Sequence, residues 1–232
     1  MAFKQFHVDS IGQITVYKRR GARSLRLSIR HDGSLRVTVP PWMPYAAGVE
    51  FARSRQSWIA EHAVPAAEAI AEGQLIGKSH RVHFKRSAEA SRTTTRLKGT
   101  EIIITYPAGL EASDPDVQAA AGRAALRALK TQAEHLLPIR LRELAREHGF
   151  NYRAVGVKQL KTRWGSCDSG RNITLNIFLM QLPWELIDYV LLHELNHTRI
   201  MKHGPEFWEA MTALDERSQR LRKDIRAYKP AL

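Results

Sequence analysis

The segment Tyr189-Val-Leu-Leu-His193-Glu194-Leu-Asn-His197 constrains this chain more than any other. An apolar run leads into two histidines four positions apart, with a glutamate directly after the first. On an α-helix such positions share a face, one turn apart. Two neutral imidazoles held that way can bind a Zn²⁺ ion at about 2.0–2.1 Å each. Glu194 then lies toward the open side of the metal, where it suits the role of base toward a metal-activated water. The apolar residues ahead of the motif predict a helix buried enough to keep the site dry and rigid.

A catalytic zinc usually takes three protein ligands and leaves one position open. His203 is a candidate third ligand, six residues past His197. On a continuing helix that offset is about 240° around the axis, on the wrong face. The helix is therefore expected to run to about Arg199, end near Met201, and let the chain turn back. Gly204-Pro205 supports this, because Gly permits a sharp bend and Pro starts a helix. A carboxylate on the following helix is the competing choice, with Glu206, Glu209, Asp215 and Glu216 available. Their ordinary role is a solvated helix face.

Around this segment the pattern predicts an α+β protein. Leu25, Leu27 and Ile29 alternate with polar residues, as do Leu35, Val37 and Val39 after His31-Asp32-Gly33-Ser34. Alternation on both sides of an Asp-Gly turn predicts an antiparallel hairpin with one wet, arginine-rich face. Residues 45–62 read as a helix. Short strands follow at Arg81–Lys85, Thr93–Lys98 and Glu101–Tyr106. Asp114-Pro115 predicts the N-cap and first position of a long helix reaching His148-Gly149, with a kink or break at Pro138. Lys161–Asp168 and Asn172–Asn176 predict a short hairpin, and Pro183 opens the helix that carries the two histidines. The expected domains are a β-rich region, 1–110, and a helix-dominated region, 111–232, divided at the loop near 107–114.

Several blocks resemble a known family, the YgjP-like metal-dependent hydrolases, relatives of the SprT and Wss1 zinc proteases. They are Arg163-Trp-Gly-Ser-Cys167 with Ile173-Thr-Leu-Asn176, then His193-Glu-Leu-Asn-His197, then His203-Gly-Pro-Glu-Phe207-Trp208. The resemblance implies a zincin-like metallopeptidase domain with a hairpin before the metal helix. It also implies zinc ligands at His193, His197 and His203, with Glu194 as general base. Ile200 stands where metzincins have a glycine, so that class is not assigned. The expected activity is peptide-bond hydrolysis, on a polypeptide that could pair with a strand of the 172–177 hairpin. Phe207 and Trp208 are expected to pack the last helix under the site.

The net charge of +13 leaves a second function class open. Residues 1–40 hold eight Lys or Arg against two Asp. Such a field favours polyanions, so a nucleic-acid-associated module is the alternative reading, with Arg19, Arg20, Arg23 and Arg26 as its basic face. The related Wss1 group acts on DNA-attached proteins, which makes DNA a possible partner alongside the polypeptide. One cysteine, Cys167, allows no intramolecular disulfide. It reads as a structural cysteine rather than a nucleophile or fourth ligand. No signal-like or membrane-spanning run is visible, so a cytoplasmic protein with no membrane partner is expected. His80 and His83 sit three apart in a strand and should face opposite ways.

Overall fold

The computed structural model describes residues 3–9, 11–29, 34–62 and 69–231. The chain divides into two compact units, Met1–Glu68 and Ala69–Leu232.

In the first unit, strands β1 (Phe3–Val8), β2 (Gly12–Lys18), β3 (Arg26–Ile29) and β4 (Leu35–Val39) form one sheet in the order β1-β2-β4-β3. The predicted hairpin is present, with Leu27 opposite Val37 and Ile29 opposite Leu35. Its turn residues at 31–33 lie outside the described residues. The sheet is not wholly antiparallel as expected. β2 and β4 run parallel, because the chain after the basic turn crosses β4 and returns on its far side. Ile14, Val16, Val37 and Val39 fill one face and are fully buried. Helix α1 (Tyr45–Arg53) covers that face. It comes close because Gly48 lacks a side chain: a Cβ there would sit 2.6 Å from Val16 Cγ1. The single helix expected over 45–62 is two, α1 and α2 (Gln56–His62). The Ser54 hydroxyl donates to Phe51 O at 2.9 Å at the break, a local bond that competes with helix continuation.

In the second unit, β5 (Leu75–Ile76), β6 (His80–Ser87), β7 (Thr94–Lys98) and β8 (Glu101–Pro107) form a sheet in the order β5-β6-β8-β7. Helix α3 (Pro115–Glu147) packs on it through buried Ala121, Ala124, Ala125 and Ala128, small side chains that let sheet and helix approach. Val82, Ile102 and Ile104 of this sheet share one apolar core with Leu129 and Leu137 of α3 and with Leu191 and Leu195 further on. The loop near 107–114 is therefore interior to this unit, and the division of the chain falls after Glu68. A β-sheet does not declare in sequence which helix will cover it. α3 starts at Pro115 as expected, but the Asp114 carboxylate accepts from Glu111 N–H at 2.7 Å instead of capping the helix. The helix also runs unbroken through Pro138, anchored by fully buried Leu137 and Leu141 on either side.

Three short strands follow: β9 (Ala154–Lys158), β10 (Gly165–Cys167) and β11 (Asn172–Asn176). β10 and β11 are the predicted hairpin, and β9 adds parallel to β11, giving the order β10-β11-β9. Helices α4 (Trp184–Asn196), α5 (Pro205–Leu214) and α6 (Ser218–Asp224) complete the unit. Among the described residues, no helix is long and apolar enough to cross a membrane.

Candidate metal centre

α4 is buried along most of its length, with Leu186, Ile187, Leu191 and Leu195 in the core. It ends at Asn196, earlier than the expected Arg199, and His197 is its C-cap. The last turn tightens there. Thr198 N–H bonds Leu195 O at 2.9 Å and Arg199 N–H bonds Asn196 O at 3.0 Å, both to the carbonyl three residues back. The early end brings Ile200 O to within 3.1 Å of His197 Nδ1. An Nδ1–H donated to that carbonyl leaves the Nε2 lone pair of His197 free.

His203 returns to the same spot by the expected turn, though not by the expected glycine effect. Gly204 has φ −81°, an ordinary value for any residue. Pro205 opens α5, and the Trp208 indole N–H reaches back to His203 O at 3.2 Å. That bond ties the loop to the helix after it.

The three imidazoles converge through their Nε2 atoms. The separations are 3.2 Å between His193 and His197, 3.1 Å between His197 and His203, and 3.0 Å between His203 and His193. A tetrahedral ion with metal–nitrogen bonds of about 2.0–2.1 Å separates its ligand atoms by roughly 3.3–3.4 Å. The triangle matches that requirement within a few tenths of an ångström. Burial pushes the His193 pKa down to about 3, helped by the neighbouring His197, His203 and Arg222. Burial also lowers that of His197. Neutral imidazoles are the form that donates lone pairs. His203 is exposed, so the cluster is open on one side. These residues could hold a metal ion.

Phe207 is the floor. It is fully buried, and its ring lies 4.9, 4.6 and 4.8 Å from those of His193, His197 and His203. Trp208 stacks on His203 at 5.6 Å, and the Arg222 guanidinium lies 3.7 Å from the Trp208 ring. This is the packing expected of the aromatic pair. The Asn196 amide, itself buried, donates to Phe207 O at 3.1 Å and fixes α5 to α4.

Glu194 is 5% exposed and sits beside this cluster on α4. Among the described residues its Oε2 has no hydrogen-bond partner, and neither does His193 Nδ1. Burial raises the Glu194 pKa to about 8, opposed by the positive charge of Arg163. A buried, unpaired carboxylate is costly for stability and useful for proton transfer near neutral pH.

The other candidates are elsewhere. Among the described residues no carboxylate joins the histidines within ligand distance. Glu206, Glu209 and Glu216 are exposed, and Asp215 pairs with Arg217 at 3.0 Å. Cys167 is half-buried, its thiol pushed up to about 11 mainly by burial and also by Glu194. A thiol so raised is a poor nucleophile at neutral pH. His80 is buried and accepts from the Gln132 amide at 2.9 Å, whereas His83 faces Glu72 at 2.9 Å. The strand separates the two as expected. β11 has partners on both sides, so 172–176 offers no free edge, and among the described residues β10 is the edge strand of the hairpin.

Sequence reasoning missed one feature of the site. Asn176, fully buried, donates through its amide to Leu160 O at 2.9 Å and Arg163 O at 2.7 Å. Its Oδ1 accepts from Leu160 N–H at 3.2 Å and Phe178 N–H at 3.3 Å. The available signal was an asparagine placed directly before the apolar run Ile177–Met180.

Helices bearing a buried H-E-x-x-H, a returning third histidine and a short sheet alongside are the parts of a metal-dependent peptidase. The sequence model of the YgjP-like metallopeptidase domain matches residues 23–228, and the chain belongs to that family. Two solved structures are similar over part of the chain. One is the metallopeptidase zymogen abylysin of Pyrococcus abyssi, at 23% identity, covering 39% of this chain and 91% of that one, TM-score 0.35. The other is the metallopeptidase zymogen jannalysin of Methanocaldococcus jannaschii, at 21% identity, covering 38% and 92%, TM-score 0.35. No curated protein matches the chain significantly.

Proposed function

We propose that this chain is a zinc-dependent peptidase in which His193, His197 and His203 hold the ion and Glu194 is the general base. The observation that carries the reading is the Nε2 triangle of 3.0–3.2 Å with a buried carboxylate next to it. When bound, the ion supplies Lewis-acid polarisation of a water and of the scissile carbonyl. The chain's own residues do the rest. The imidazoles are held in place, His197 by its bond to Ile200 O and His203 by Trp208. Glu194 takes a proton from the attacking water and returns one to the leaving amine. Its buried setting keeps bulk water from levelling its basicity.

The polypeptide class of substrate fits the free edge of β10, which lies beside Glu194. An extended segment added there would be held by main-chain hydrogen bonds, largely independent of its sequence. The reading is tested by Glu194→Gln. Peptide hydrolysis should fall by several orders of magnitude while metal stoichiometry stays at one. Undiminished hydrolysis by the variant would refute the assigned base.

A second reading concerns the Met1–Glu68 unit. Arg19, Arg20, Arg23 and Arg26 are exposed, with no ion pair among the described residues. Exposed guanidinium groups of this kind suit phosphate backbones. DNA binding that weakens with salt and with Arg19→Ala/Arg23→Ala supports this role. Binding indifferent to both removes it.

A further inference from the structure

β10 meets α4 at an unusually close point. Gly165 lies directly against the Glu194 side chain. A Cβ at position 165 would sit 2.7 Å from Oε1, 2.8 Å from Cγ and 3.0 Å from Cδ of that residue. Real Cβ atoms do not approach other heavy atoms below 3.0 Å. Three atoms of one side chain are contacted at once, and Glu194 is 5% exposed, so it cannot swing aside into solvent cheaply. The backbone of Gly165 is therefore one wall of the space in which the carboxylate can stand.

That wall is itself held in place. Asn176 binds the segment leading into β10 at both ends, through Leu160 and the Arg163 carbonyl. Its own backbone N–H bonds Trp164 O at 2.9 Å. Gly165 then pairs with Leu175 in the β10–β11 ladder. All of these bonds converge within a few residues of Gly165. Asn176 is fully buried, so its own polar atoms are shielded from competing water.

We infer that Gly165 and Asn176 are positioning residues for Glu194: Asn176 fixes the 160–164 segment, and the missing side chain at 165 sets where the carboxylate stands. Neither touches the histidines in this role, so metal binding and carboxylate placement are separable. The inference rests on Glu194 being the base, as proposed above. Displacing a reacting group by about 1 Å can cost on the order of 100-fold in rate. The methyl group of alanine demands a shift of several tenths of an ångström at each of three atoms.

The test is a cycle of Gly165→Ala and Glu194→Asp in the full chain loaded with zinc, with hydrolysis of an unstructured protein as the readout. Gly165→Ala is expected to lower kcat by about 10–100-fold, with KM, zinc stoichiometry and circular dichroism unchanged. Glu194→Asp withdraws the carboxylate by one methylene, away from the added Cβ. The double variant should then be no slower than Glu194→Asp alone. A Gly165→Ala protein with the parent kcat overturns the inference. So does a loss that multiplies independently with that of Glu194→Asp, or one that tracks lost zinc or lost fold. Asn176→Asp, which keeps the size but replaces the amide donor, should lower kcat with zinc retained; an unchanged kcat removes Asn176 from the proposal. Glu194→Gln in parallel separates the two levels: if it remains active, the base assignment fails, whatever Gly165→Ala does.

Discussion

Phe207→Ala is the most informative packing change. The ring is fully buried and touches all three imidazoles, so its removal affects the fold and the histidine triangle together. Truncating a buried Phe costs about 3–5 kcal/mol, transfer and cavity terms combined. For a unit the size of Ala69–Leu232, each kcal/mol moves the melting point by about 2–4 °C, so a fall of roughly 6–20 °C is expected. The assay is thermal unfolding of chelator-treated protein, followed by zinc titration of the folded variant. Zinc affinity should fall about 10–100-fold, the usual cost of disturbing groups that orient metal ligands. Phe207→Leu keeps an apolar floor and should recover most of both. If Phe207→Ala left the melting point unchanged and the affinity within twofold, the floor would not organise the triangle and this reasoning would be wrong.

Two further predictions concern stability. Burial lowers the His80 pKa, so the fold keeps this imidazole neutral. Its stabilising share is complete above the unfolded value of about 6.5. It is lost as pH falls below that value toward the lower folded pKa, because the unfolded chain takes up a proton first. Urea midpoints at pH 7.5 and 5.5 should therefore differ more for the parent than for His80→Gln, and equal differences would contradict this. Arg140 of α3 grips Asp188 of α4 through two bonds of 2.8 and 2.7 Å. Both side chains are partly exposed, so a double-mutant cycle should give a coupling of only about 1 kcal/mol, shrinking at high salt. A coupling of zero would mean that the paired geometry holds nothing together.

The histidine spacing was legible because helix periodicity alone puts His193 and His197 on one face. The hairpins were legible from alternation, and the start of α3 from Pro115. β9 was not, since Ala154-Val-Gly-Val-Lys158 has a central glycine and no clear alternation. It is a strand because β11 pairs with it. β1 and the two-residue β5 likewise take their strand form from pairing, each with the strand directly after it, β2 and β6. The unit boundary was misplaced for a related reason: the alanine face of α3 carries no mark of the sheet that covers it. Pro138 signalled a break, but the flanking core leucines keep the helix going. Gly165 and Asn176 were visible as residues but not as a wall and its anchor, since both roles arise from contacts formed only on folding.

The central claim is that His193, His197 and His203 hold one zinc ion. Elemental analysis of untagged protein, purified without added metal, tests it most directly. The account predicts about one zinc per chain, lost from a folded His193→Ala variant. Zinc retained at full stoichiometry by that variant, or a different metal in the parent, would contradict it.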